Sequence, residues 1–135
     1  MTSRPHPGLS GEHTFTVEER HCIDFAEAGM PAVLSTPQLI GLLERTARQA
    51  LASCLEADER SVGMEVDLRH LAPTPCGAKV TLLARVIRAE GREVTFHVEA
   101  RDAQEVLARG VHRRAVIKVP SFARRVAAKA AAVMG

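Results

Sequence analysis

The sequence predicts an α+β fold in which one long helix is wrapped by an antiparallel β-sheet. Three observations lead there. Apolar residues recur with a helical period from Pro37 to Leu55, and a period of two begins at Val62 and returns in three further segments. Those segments are joined by short turns, with no room for the crossover helices that parallel strands need.

The helix is the clearest element. Ile40, Leu43, Ala47, Ala50, Leu51 and Cys54 share one helical face, and the start is marked by Ser35, Thr36 and Pro37. Either Thr36 caps the helix with Pro37 in its first turn, or Ser35 and Gln38 form a capping box. Val62, Met64, Val66 and Leu68 then alternate with polar residues, which predicts a strand with one buried face, ended by Pro73 and Pro75. Lys79 to Arg88 and Glu93 to Arg101 form a hairpin joined at Glu90-Gly91, Val106 to Val119 is a last long strand, and Phe122 to Val133 is an Ala-rich helix. A short strand is expected near His13 to Glu18. Residues 1–11, with two prolines and two glycines, read as a flexible leader before a single folded domain over 12–135. One sheet layer leaves strand edges open, so a homodimer is expected.

Composition narrows the function. A net charge of +2, no Trp or Tyr and only four Phe argue against nucleic acid as a partner. No apolar run is long enough for a membrane span, and residues 1–13 lack the apolar core of a signal peptide. Cys22, Cys54 and Cys76 are odd in number and widely spaced, which suggests neither a disulfide framework nor a metal site and fits a reduced, cytoplasmic setting.

Polar residues at apolar positions carry the chemistry, because a buried polar group must be either satisfied or in use. His70 continues the series Val62, Met64, Val66, Leu68. Glu44 stands four residues after Ile40 and three before Ala47, beside the helix's apolar face, and Thr36 lies two turns before it, about 12 Å along the axis. A carboxylate, an imidazole and a hydroxyl at a helix start are parts for acyl transfer. Each has a plainer reading as well: Thr36 as a cap, Glu44 paired with Arg45 or Arg48, His70 as a satisfied core histidine, Gly63 as a bulge glycine and Arg114 as a solvated strand residue.

The stretches AVLSTPQLIGLLERTA, SVGMEVDLRHLAPTPCG and GVHRRAVI resemble the fluoroacetyl-CoA thioesterase family of hot-dog proteins over roughly residues 30–125. The likeness includes the spacing of eight from Thr36 to Glu44, six residues between Gly63 and His70, the T-P-x-G turn at Thr74 to Gly77, and the H-x-R-A-V-I strand. It implies a hot-dog fold, hydrolysis of an acyl-CoA thioester at a dimer interface, and neither metal nor redox cofactor. Thr36, Glu44 and His70 then correspond to catalytic residues and Gly63 to a glycine at the thioester, while Arg114 supports the site or the coenzyme A side. Members selective for the fluorinated group are expected to carry aromatic residues before the central helix. This loop, FAEAGMPAVLS, offers only Phe25 and Met30 as large apolar side chains, so a general short or medium acyl group is expected. The alternatives are an enoyl-CoA hydratase using Asp67 and His70, a non-catalytic acyl-CoA or acyl-carrier binding module, and a purely structural dimer.

Overall fold

A computed structural model describes residues 1–135. The elements run β1 (Ser10–Thr16), α1 (Thr36–Leu51), β2 (Glu59–His70), β3 (Lys79–Glu90), β4 (Glu93–Arg101), β5 (Val106–Lys118) and α2 (Val119–Met134), with single 3-10 turns at Glu19–His21 and Ala52–Cys54. All five strands form one antiparallel sheet in the order β1-β3-β4-β5-β2. The α+β architecture is as expected.

The sheet curls around α1. Leu39, Leu42, Leu43, Thr46, Ala47, Ala50 and Leu51 are buried, a wider arc than the stripe through Ile40 and Cys54, because strands meet the helix on more than one side. Against them lie the alternating inward residues of β3 and β4, among them Val80, Leu82, Val94, Phe96 and Val98, each fully buried. Each such side chain contributes about 1.5–3 kcal/mol. The helix stops at Leu51, and the Ala52–Cys54 turn takes over the end assigned from sequence to Leu55.

β2 departs from simple alternation. Its register against β5 shifts between Gly63 and Glu65, so Met64 is the extra residue of a β-bulge. Ser61 and Gly63 pair with the inward Val116 and Arg114, and beyond the bulge Val66 and His70 pair with the inward His112 and Ala108. The single face through Val62 and Met64 is therefore broken: Val62 belongs to the opposite face and Met64 is half exposed, while Val66, Leu68 and His70 keep their expected side.

The first nine residues are laid along the body. The Met1 amino group reaches Glu59 Oε1 at 2.8 Å, Thr2 N donates to Cys54 O, and Gly8 N donates to Val86 O, so the segment expected to be flexible has fixed partners. Ser10 and Gly11 already belong to β1. α2, by contrast, has no buried residue.

Two glycines give opposite expectations. A Cβ at Gly110 would press on the backbone of Asp67 and Leu68, whereas one at Gly41 meets nothing within 4 Å. Gly110→Ala should lower the stability by about 1–3 kcal/mol, and Gly41→Ala should raise it by about 0.5–1 kcal/mol. Urea unfolding midpoints of the two variants check both signs.

Candidate active site

Thr36 is released from capping by its neighbour. Ser35 takes the N-cap position, its Oγ accepting from Gln38 N at 3.4 Å, while its own N–H donates to His21 O and leaves no return bond for a capping box. With Thr36 at the first helical position, its hydroxyl lies 2.8 Å from Nδ1 of His70. The other ring nitrogen, Nε2, is buried without a partner. Burial holds His70 below the usual imidazole range, so the ring is neutral at neutral pH. Thr36 and His70 share the wall of a cleft of about 290 Å³ with Val33, Leu34 and Leu71. A second hollow of about 590 Å³ begins on the other side of Thr36, beside Phe25.

Glu44 belongs to a separate cluster. Its Oε2 lies 3.5 Å from Arg114 Nη1 and directly over Gly63, where any Cβ would occupy the place of the carboxylate oxygen. The glycine is what lets a helix carboxylate rest on strand backbone. Arg114 is 5% exposed: its Nε donates to Ser61 Oγ and its Nη2 to Ser61 O, each at 2.9 Å. Its Nη1 also lies 3.2 Å from His112 Nε2. A guanidinium so enclosed holds Glu44 in place. His112 donates from Nδ1 to Glu65 O at 2.9 Å, which leaves Nε2 as the acceptor facing Arg114 and fixes the neutral tautomer.

The structure thus joins Thr36 to His70, and Glu44 to Gly63 and Arg114. Within one protomer no hydrogen bond or ion pair links the two groups. Asp67 faces away from His70, as its pairing with the exposed Val111 requires, so the hydratase pair does not form.

Sequence reasoning missed His112 and Ser61. Both lie on the inward faces of their strands, and the rule that singled out His70, a polar residue on an apolar period, applies equally to His112. It also missed Glu59, fully buried and bound by the Met1 amino group, Glu56 N–H and Arg92, contacts that bring its carboxyl down to about 2.

A helix wrapped by five antiparallel strands in this order, with polar residues on the concave face, defines a hot-dog domain of the thioesterase class. The chain belongs to the fluoroacetyl-CoA-specific thioesterase family, whose sequence profile matches residues 17–120. A fluoroacetyl-CoA thioesterase from Streptantibioticus cattleyicolor is 37% identical over 106 residues, covering 78% of this chain and 75% of that protein. The solved structure of the fluoroacetyl-CoA thioesterase FlK matches with a TM-score of 0.85 at 31% identity, covering 94% of this chain and 98% of that one. A hot-dog-like protein from Thermanaerovibrio acidaminovorans gives 0.86 at 23% identity over 93% of each chain, a likeness of fold.

The buried histidines set a pH dependence. His21, His70 and His112 are all lowered, each chiefly by burial; Arg20 also lowers His21, and the Glu65 carbonyl partly offsets the effect at His112. Below about pH 6.5 the unfolded chain therefore binds protons that the folded chain refuses, and stability present above that value is lost as pH falls. Urea midpoints should drop between about pH 7.5 and 5.5. In His112→Gln the drop should be shallower, and an unchanged pH slope would show that His112 contributes nothing.

Proposed function

We propose that this protein hydrolyses short or medium acyl-CoA thioesters at a site assembled between two copies of the chain. The observation that carries this is the bond from Thr36 Oγ1 to His70 Nδ1 with the buried, unpartnered Nε2 beside it. A buried polar atom without a partner calls for one, and a reacting ligand in the adjoining cleft supplies it.

In the tautomer with hydrogen on Nδ1, His70 donates to Thr36 Oγ1, and the hydroxyl is free to donate to the thioester carbonyl. Pro37 has no N–H and those of Gln38 and Leu39 are taken up by Ser35, so in the first turn of α1 only the Thr36 N–H is left to stabilise the charge that oxygen gains. Glu44, held by Arg114, takes a proton from water. The water oxygen bonds to the carbonyl carbon, the C–S bond breaks, and the leaving thiolate is protonated with His70 relaying the proton. The products are a free acid and the thiol.

Support for the paired site comes from β2. It is an edge strand whose Met64 and Val66 are exposed, as are Leu71 just past its end and Val111 on the adjacent strand. Antiparallel pairing of two β2 edges about a two-fold axis sets the first half of one strand against the second half of its mate. Gly63 and Glu44 of one copy then approach Thr36 and His70 of the other. Phe25 and Met30 are exposed in the loop before α1, and so small an apolar lid favours a general acyl group over the fluorinated one. Coenzyme A as carrier and the cytoplasm as setting belong to the same proposal.

A thiol-release assay over an acyl-CoA panel tests it. Glu44→Gln should lower turnover about 10²–10⁴-fold with the fold intact by circular dichroism, and full activity would remove the mechanism. A binding module would instead hold acyl-CoA tightly and release no thiol. Sedimentation should give a dimer, with Met64→Arg shifting it to monomer and abolishing turnover; a fully active monomer would refute the shared site.

A further inference from the structure

Three short extended segments meet at the base of the loop before α1. Cys22 pairs with Leu34 and Val33 pairs with Pro75, each as a single antiparallel bridge, and Leu34 N donates to Thr74 O at 2.9 Å. The turn that follows doubles back to the residue just past β1, where Gly77 N donates to Val17 O at 2.8 Å and Val17 N donates to Ala78 O at 2.9 Å. This path carries Cys76 round to Cys22. Sγ of Cys76 lies 3.5 Å from Val17 O, Sγ of Cys22 lies 3.4 Å from Glu18 O, and the two thiols are within hydrogen-bonding reach of each other. Far apart in sequence, they meet only through the fold.

The thiols differ in access. Cys76 is exposed and Cys22 half-buried, whereas the third, Cys54, is 4% exposed. Burial, with the Cys76 thiol beside it, raises Cys22 above the usual thiol range, so Cys22 is protonated at neutral pH. Attack on an outside reagent therefore falls to Cys76, and Cys22 is placed to follow.

We propose that Cys22 and Cys76 are a redox pair that a low-molecular-weight disulfide closes, fastening the loop before α1 to the turn at Thr74 to Gly77. The Cys76 thiolate attacks one sulfur of the reagent, RSSR; the S–S bond breaks, and the leaving thiolate takes up the proton that Cys76 released. Cys22 then gives up its proton and its sulfur bonds to Cys76 Sγ, expelling the second thiolate, which takes up that proton. Two protein thiols are oxidised and one RSSR is reduced to two RSH. In a reducing setting such a bond is transient, so its effect is regulatory. From Asp24 to Ala32 the loop backbone bonds only within itself, through Glu27 N to Phe25 O and Met30 N to Glu27 O, and it is held at its neck by Cys22, Ile23, Val33 and Leu34. Cys22 also lines the hollow beside Thr36. A bond from that neck to Cys76 ties together two walls of the neighbouring cleft, one formed by Ile23 and Leu34 and the other by Ala72 and Pro73.

Oxidised glutathione added to the full chain at neutral pH tests the pair by mass spectrometry. Wild type should lose two of its three thiols, with the mass of two hydrogens, and non-reducing peptide maps should join Cys22 to Cys76 and leave Cys54 free. Dithiothreitol should reverse this. Cys22→Ser should stop at a glutathione adduct on Cys76, and Cys76→Ser should lose no thiol in the same time. In oxidised wild type, hydrogen exchange at the Ile23 and Leu34 amides should slow at least about tenfold against the reduced chain. No loss of thiols, a wild type that stops at the adduct, a bond to Cys54 or between chains, or exchange as fast as in the reduced chain would overturn it. Peptide maps and exchange are both read on wild type, so the test survives a serine variant that does not fold.

Discussion

The bulge at Gly63 to Glu65 is the constraint on which the rest of the concave face depends. Gly63 and His70 are seven residues apart, an odd number, so strict alternation would send them to opposite faces of β2. One extra residue restores the parity. Ser61 and Gly63 on one side of the bulge, and Val66, Leu68 and His70 on the other, all then face α1. Without it, either the strand glycine beneath Glu44 or the imidazole beside Thr36 would point outward, and the two polar groups would not share a surface.

Around Gly63 the fold accepts a buried guanidinium, which is costly unless its donors are used. Arg114 uses them on Ser61, His112 and Glu44, and His112 is in turn oriented by the Glu65 carbonyl within the bulge. The irregular backbone thus anchors the ring that faces the arginine, and the arginine anchors the carboxylate. Phe96 stacks beside His112, with ring centroids 6.3 Å apart, and ties this polar group to the hydrophobic core. At the other end of β2, Thr36 and His70 form a second group whose orientation comes from the Ser35 cap and from the second half of the strand.

Periodicity made the long helix, the β3–β4 hairpin and the last strand legible, because each buries a face against a neighbour and its pattern records that burial. Glu44 and His70 were legible for the same reason, as polar residues where the period asks for apolar ones. Boundaries were less so: the helix end drifted to Leu55 because the Ala52–Cys54 turn keeps Cys54 buried without continuing the α-helix. The contacts of the first residues, such as those of Met1 with Glu59 and Gly8 with Val86, were not legible, since proline and glycine report only the absence of regular structure and such contacts leave no local pattern.

By itself the sequence determined the fold class, the central helix, the inward placement of His70, the residues that resemble the family's working set and, through them, the kind of chemistry. Local spacing along one chain is enough for each of these. Tertiary structure alone decided which hydroxyl caps the helix, where β2 changes face, that Arg114 is enclosed rather than solvated, and that Thr36 with His70 and Glu44 with Gly63 form two groups in one protomer. Those outcomes depend on register and on contacts between residues distant in sequence, and an extra residue in one strand alters them while leaving the apolar pattern almost as it was.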